Sequence, residues 1–572
     1  MPAESHDAFT ADPGGLTDGG LAYLNADQRG GTAGGKPSFT IDRAAKQLTG
    51  FDPVTGAPYP GWSSAPGVGF TVTYAFRANA PATMPSDTAG FSRFNAAQIN
   101  QAELALQAWS DVANIRFVRV GVGTSGEDAY SDNASILFGN YSSGEDGAAA
   151  FAMFPGSTTA SSSAGDVWIN STSGSNLSPA IGNYGAQVLV HEIGHAIGLA
   201  HPGDYNADGD APITYAADAE YYEDSRQYTV MSYFSETNTG ASFGAGRYSA
   251  VPLLDDIAGA QLEYGVNPTT RTGDTVYGFN STAERPWFAA TSSATKLVFA
   301  VWDAGGTDTF DFSGYSNNQL IDLREGFFSN VGGLVGNVAV AKGAQIENAV
   351  GGFGADRING NALSNALTGG AGADTLYGGA GNDTLSAGDG EDFLRGEEGN
   401  DRLIGGAAFD DLHGNMGDDT VSGGLGDDWV VGGQGSDMLY GEDGGDVVLG
   451  NLGDDTCEGG AGNDVVRGGQ GNDTVAGGAG DDWISGDRGD DTVSGGAGAD
   501  IFHAFTGSGL DRVLDFSIAE GDRVLLLPGQ AWAVAQVGAD TVVYMDYEGS
   551  ADRLVLANVQ MAALPAGWIF GA

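Results

Sequence analysis

His191-Glu192-Ile193-Gly194-His195-Ala196-Ile197-Gly198-Leu199-Ala200-His201 reads H-E-x-x-H-x-x-G-x-x-H. On a helix of 3.6 residues per turn, His191 and His195 project from one face about one turn apart. Glu192 projects beside them, near enough to hold a metal-bound water and take its proton. Gly198 ends the helix, because glycine enters a left-handed turn cheaply. The chain then doubles back, and His201 can supply a third nitrogen. Three neutral imidazoles leave a zinc ion open to a water, which marks a catalytic site rather than a closed structural one. The chain has six His in 572 residues, and three fall in this window with Glu and Gly at the required offsets. That concentration sets aside a buried helix carrying histidines by chance.

Thirty residues on, Thr229-Val230-Met231-Ser232-Tyr233-Phe234 resembles the Met-turn of the metzincins, with Met231 as a polarizable floor beneath the His ligands. Read alone, a Met and a Tyr in an apolar run fit a core; after this zinc motif the functional reading is preferred. The M-S-Y-F text is similar to that of the serralysins, secreted bacterial zinc proteases. The resemblance implies that Tyr233 supplies a further oxygen beside the zinc.

A chain of this length holds two or more domains. Its 23 basic against 74 acidic side chains give a formal charge of −51, which argues against nucleic acid and anionic membranes and favours cations. A single cysteine, Cys457, excludes an intrachain disulfide, and none stands near the N-terminus to latch the zinc. No Sec-type signal peptide is expected in the first thirty residues, and no run of eighteen apolar residues predicts a membrane span. Those absences alone suggest a cytoplasmic protein; the repeats described below overturn that.

Residues 1–34, rich in Gly, Asp and Ala without periodicity, predict a flexible extension, and the resemblance implies a propeptide there. From Lys36 the text is globular. Arg43–Leu48 predicts a short helix, Val68–Phe76 a strand, Asn95–Ala113 an amphipathic helix, and Ile115–Val120, Ala134–Asn140 and Gly165–Asn170 strands. Gln187 opens the zinc helix after Gly182-Asn183. Ala148–Phe154, stopped by Pro155-Gly156, predicts a strand that the pattern alone allows in the sheet interior. The resemblance implies the edge strand of the cleft, where Ala148, Ala150 and Ala152 offer main chain to a substrate peptide. Pro202–Ala207 again resembles serralysin text. A helix opens near Leu253–Ile257, with Asp255 and Asp256 expected as a cap or a solvated start.

Arg271–Thr275 and Trp302–Asp308 are Gly- and Asp-rich loops that fit plain turns as well as calcium sites. The resemblance implies calcium, with Arg271, Gly273, Thr275, Asp303, Gly305, Gly306, Asp308 and Glu347 as ligands.

From Gly369 to Phe502 the unit G-G-x-G-x-D-x-U-x recurs every nine residues. Its aspartates run without a register break through Asp374, Asp383, Asp392, Asp401, Asp410, Asp419, Asp428, Asp437, Asp446, Asp455, Asp464, Asp473, Asp482, Asp491 and Asp500. Asp356 lies upstream in the same register, with Asn365 between. Glycines such as Gly370, Gly372, Gly379, Gly381, Gly388, Gly390, Gly460, Gly462, Gly469 and Gly471 permit tight turns with exposed carbonyls, and the Asp adds a carboxylate. The fourth position is Gly throughout except at Ala408, where a weaker half-site is expected. The U residues (Leu376, Leu385, Leu403, Val421, Val430, Ile484) point inward, and Cys457 fills a U slot as a small hydrophobe. Stacked units predict a parallel β-roll with calcium between turns. Residues 351–500 carry 30 acidic and 5 basic side chains, so without calcium the roll should stay unfolded, and ligand that binds only the folded form drives folding. That suits export of a loose chain. The resemblance implies type I secretion from a Gram-negative bacterium, with an uncleaved C-terminal signal beyond Gly507.

The expected architecture is multidomain: a flexible extension or propeptide (1–34), an α+β metzincin-type domain (35–265), a calcium-binding junction and RTX parallel β-roll (266–505), and a C-terminal β-rich cap with the secretion signal (506–572). The expected function is a secreted zinc endopeptidase with one Zn2+, several Ca2+ and Glu192 as general base. The rivals are a calcium-structured adhesive protein with a secondary or inactive protease domain, and a non-proteolytic zinc hydrolase. The expected partners are protein or peptide substrates, the type I secretion apparatus and a proteinaceous inhibitor; no nucleic acid is expected, and the chain should be a monomer.

Overall fold

Four strands with β-branched and aromatic residues, β1 (Phe70–Phe76), β2 (Ile115–Arg119), β3 (Ile136–Tyr141) and β5 (Val167–Asn170), run parallel, and β4 (Ala150–Ala152) joins the edge antiparallel. The order is β2-β1-β3-β5-β4, and β3, buried at every residue, is the centre, as a strand covered on both faces must be. The computed structural model describes residues 23–50, 61–85, 88–144, 148–156, 164–205, 213–547 and 549–571. Residues 1–22 of the expected extension, and Asn206-Ala207 after the zinc motif, lie outside them.

The described chain divides into two compact units. The first runs to Asp311 and takes in Asp322–Ile346; it holds the sheet and helices α1 (Ile41–Leu48), α2 (Ala96–Val112), α3 (Tyr184–Ala196) and α4 (Leu254–Tyr264). Asn95 and Gln98 cap α2 reciprocally at 3.0 Å each. Trp109 of α2 donates its indole N–H to the Val190 carbonyl of α3 at 3.1 Å, which fixes the zinc helix against the core.

Several expectations shift. The zinc helix starts at Tyr184, because the Asn183 side chain already caps the Ala186 N–H at 3.0 Å. The strand expected over Ala148–Phe154 shortens to Ala150–Ala152. Residues 23–34 are not loose: Ala26–Gln28 form a 3-10 turn, and Arg29 is buried against Asp255. Asp255 and Asp256 are both 0 % exposed, so the solvated helix start is overturned and only the cap survives, with Asp256 accepting the Leu253 N–H at 2.9 Å. The first unit also runs past Tyr264. Asn267 donates to the Ser110 carbonyl at 2.7 Å and Thr270 to the Asp111 carbonyl at 2.6 Å, so the junction loops close onto α2.

The second unit, Phe312–Ile321 and the chain from Glu347, is the roll. Successive strands alternate between two parallel sheets, and partners are eighteen residues apart, as in Leu376 with Leu394 and Leu385 with Leu403. The inward row, including Leu376, Val421, Ile484 and Cys457, is buried as a narrow aliphatic core. Trp532–Val537, Asp540–Met545 and Arg553–Leu556 pair antiparallel and close one sheet as a β-rich cap.

Ala408 takes a φ of 76° where its counterparts Gly399 and Gly417 take 130° and 128°. A Cβ in this region is strained. Replacing Ala408 by Gly should stabilise the calcium-loaded array by about 0.5–1 kcal/mol, or about 2 °C in its melting midpoint. Calorimetry of the full chain would read a lower midpoint if the strain were absent.

Candidate metal centres

Past the end of α3, Gly198 adopts a φ of 105° and the Leu199 N–H returns to the Gly194 carbonyl at 2.9 Å. The reversal brings His201 back to His191 and His195. Their three Nε2 atoms lie 3.1, 3.1 and 3.3 Å apart. His191 Nδ1 faces the Val230 carbonyl at 2.8 Å, His195 Nδ1 the Leu199 carbonyl at 2.7 Å, and His201 Nδ1 the Tyr205 carbonyl at 3.0 Å. A carbonyl only accepts, so each Nδ1 carries the proton and each Nε2 presents a lone pair. Three lone pairs have nothing to donate to one another. Nitrogens bonded tetrahedrally to zinc at about 2.0–2.1 Å are about 3.3 Å apart, so this triangle fits the ion. Burial pushes His191 down to about 4. It also lowers His195 well below the ordinary value, helped by His201 and His191.

Met231 is buried beneath the helix. A Cβ on Gly194 would meet its sulfur at 2.5 Å, so a side chain at the second x of H-E-x-x-H would displace this floor. Asp256 shapes the turn: it accepts from the Val230 N–H at 2.7 Å and the Thr229 hydroxyl at 2.5 Å. Sequence reading missed both Gly194 and Asp256. The Asp255-Asp256 pair at a helix start was visible, but its burial was not.

Glu192 is 6 % exposed, and its Oε2 is buried with no hydrogen-bond partner among the described residues. Burial alone pushes its carboxyl up to about 8, and a cation among the neighbouring imidazoles favours the charged form. Tyr233 is 38 % exposed, with its ring 4.5 Å from His201 and 5.8 Å from His191. Along β4, the Asn170 N–H bonds the Ala149 carbonyl at 3.0 Å and the Met153 N–H bonds the Asp166 carbonyl at 3.0 Å. The ladder's alternation therefore turns the main-chain groups of Ala150 and Ala152 outward. Ala148 lies outside the strand, and its carbonyl accepts from the Tyr141 hydroxyl at 2.6 Å and the Asn170 amide at 2.9 Å.

At the junction, Asp308 accepts the Thr275 N–H at 2.8 Å, and Asp303 accepts the Gly305 N–H at 3.0 Å and the Tyr277 hydroxyl at 2.5 Å. A Cβ on Gly306 would meet the Gly273 carbonyl oxygen at 2.7 Å, so the loops abut. Acids and a backbone carbonyl on abutting loops are the hard oxygen ligands that suit calcium. The Arg271 side chain is engaged with Asp111 at 3.2 Å and with the Trp302 carbonyl, so only its main chain is left as a ligand. Glu347 belongs to the second unit, where its carbonyl accepts from Asn365 at 2.8 Å.

In the roll each repeat aspartate spends one oxygen on structure. The Asp356 N–H donates to Asp374 Oδ1 at 2.7 Å and the Asp374 N–H to Asp392 Oδ1 at 2.6 Å, and the pattern continues to Asp500. Oδ2 is buried and without a hydrogen bond among the described residues at every repeat position from Asp374 to Asp500. A Cβ on Gly378 would meet Asp383 Oδ2 at 2.3 Å and the Gly396 carbonyl at 2.7 Å. Carboxylate and carbonyl oxygens thus converge on cradles that suit calcium.

Three family descriptions match the chain: metallo-peptidase family M12 over residues 87–242, peptidase M10 serralysin C terminal over 266–404, and the RTX calcium-binding nonapeptide repeat over 395–430, 431–466 and 467–502. Metallopeptidase AprA of Pseudomonas marginalis is 49 % identical over 353 residues, 60 % of this chain and 71 % of its own. A serralysin C of Dickeya chrysanthemi is 50 % identical over 338 residues, 59 % of this chain and 67 % of its own.

Burial raises the repeat carboxyls to about 8 at Asp374 and Asp410, about 7 at Asp383 and Asp419, and about 6 at Asp392 and Asp428. Such a group binds more protons folded than unfolded. Its stabilising contribution is full below the unfolded value of about 3.8 and is lost as pH rises through about 6 to 8. Circular dichroism of the calcium-depleted chain should therefore show more strand at about pH 4.5 than at about pH 8. Calcium, which takes the place of the protons, should abolish the difference. Equal strand content at both pH values without calcium would contradict the argument.

Proposed function

The chain belongs to the serralysin family, and from that premise we propose how its residues make it a secreted zinc endopeptidase. The observation that carries the reading is the triangle of unprotonated Nε2 atoms, together with a buried oxygen of Glu192, next to His191 in the chain, that has no hydrogen-bond partner among the described residues. His191, His195 and His201 hold the ion, each ring locked by its Nδ1–H. Zinc, when bound, acidifies a water and polarises the scissile carbonyl. Glu192 takes the proton from the attacking water and passes it to the leaving amine. Tyr233, its ring 4.5 Å from that of His201, donates its hydroxyl to the developing oxyanion. The substrate lies antiparallel along Ala150–Ala152, main chain to main chain, which gives broad sequence tolerance.

The junction and the roll take calcium through the Asp and Gly carbonyl cradles. The enzyme works outside the cell, where calcium is available to fold the array. Its route there, in this reading, is one-step type I export from a Gram-negative bacterium, directed by the segment after residue 506. A purely adhesive role would leave the buried Glu192 oxygen without a use.

Glu192→Gln should lower kcat on casein by about 10²–10⁴-fold with zinc content unchanged. Tyr233→Phe should lower it by about 10²-fold with little change in KM. Wild-type turnover by the Gln variant in zinc and calcium would remove Glu192 from the mechanism.

A further inference from the structure

Residues 23–30 have no part in the chemistry above, yet they grip the groups that orient His191. The Leu24 N–H donates to the Tyr228 hydroxyl at 2.7 Å, and that hydroxyl donates to the Leu24 carbonyl at 3.0 Å. Arg29 makes two parallel bonds to Asp255 at 2.8 and 2.9 Å and a third to the Phe39 carbonyl at 2.7 Å. Its guanidinium also lies 5.1 Å from the centre of the Tyr228 ring. Arg29, Tyr228 and Asp255 are all buried. The two gripped residues are themselves joined, since the Asp255 N–H donates to the Tyr228 carbonyl at 3.0 Å.

The next step reaches the metal centre. Asp256, adjacent to Asp255, accepts the Val230 N–H at 2.7 Å, and the Val230 carbonyl takes the His191 Nδ1 proton at 2.8 Å. Arg29, Asp255-Asp256, Val230 and His191 thus form one continuous chain of fork, hydrogen bond and ring. We propose that residues 23–30 are a strap that completes the zinc site, with Arg29 as its positioning residue. By fixing the start of α4 and the 228–231 turn, Arg29 sets the direction in which His191 Nε2 points. A cut inside the strap would release the turn.

The inference rests on the zinc reading, and its test separates the two. Full-length, calcium-loaded protein is prepared as wild type, Arg29→Met, Arg29→Lys and Arg77→Met. The last breaks the buried Arg77–Asp166 pair of the same unit, on the sheet side. Amide exchange across residues 228–231 is measured without zinc, and zinc release to a chelator is measured after loading. Arg29→Met should speed both by about 10–100-fold, as loss of support behind a metal ligand does. Arg29→Lys, which keeps one charged bond, should fall between, and Arg77→Met should match wild type. The proposal is overturned if Arg29→Met leaves both rates unchanged, or if Arg77→Met moves them equally. Should Arg29→Met fail to fold, Arg29→Lys decides by the same two readings. A wild type that retains no zinc defeats the zinc reading alone, since the exchange comparison is made without metal.

Discussion

Lone pairs repel one another, and this chain aims three of them at a single point. The imidazole Nε2 atoms approach within 3.1 to 3.3 Å with no proton between them, because each ring's proton is committed to a carbonyl on its far side. Such a cluster carries an electrostatic cost that a bound cation relieves. The surroundings serve that constraint. Gly198 turns the chain so that His201 arrives, Gly194 admits the Met231 sulfur, and Asp256 holds the Val230 carbonyl in place for His191.

The roll meets the same constraint with charge. Each repeat aspartate bonds a backbone N–H eighteen residues upstream through Oδ1, which stacks one turn on the next, and leaves Oδ2 buried and bare. Half of each carboxylate is structural and half faces a cation. Neutral imidazoles can wait for zinc inside a folded domain. Thirty acids against five bases over residues 351–500 cannot wait in the same way. Folding and calcium binding are therefore one event in the array, whereas zinc completes a site whose frame already stands.

The parts legible in the sequence were those whose chemistry is local. The helix, reversal and third ligand follow from offsets between His191 and His201, and the roll follows from a nine-residue register. Illegible parts depended on distant partners. Asp255 and Asp256 look like an ordinary helix start, yet their partners are Arg29, Thr229 and Val230. Residues 23–34 have the Gly- and Asp-rich composition of a loose tail, but their order comes from Tyr228, Asp255 and Gly326. Propensity measures what a segment does alone, and these segments do nothing alone. The strand at Ala150–Ala152 is shorter than its apolar run, and the Ala148 carbonyl is taken by the Tyr141 hydroxyl and the Asn170 side chain instead of a ladder.

The same electrostatic demand is met in two ways, and the choice maps onto the two units. Several acids buried in the first unit are accompanied by arginines: Arg29 with Asp255, Arg77 with Asp166, Arg271 and Arg285 with Asp111. A guanidinium fork is permanent and needs nothing from the medium. Among 23 basic residues only five fall within 351–500, so most repeat carboxylates there have no such partner. An arginine at each would neutralise the roll at synthesis and fold it at once. Leaving the positions to calcium makes neutralisation conditional on the medium.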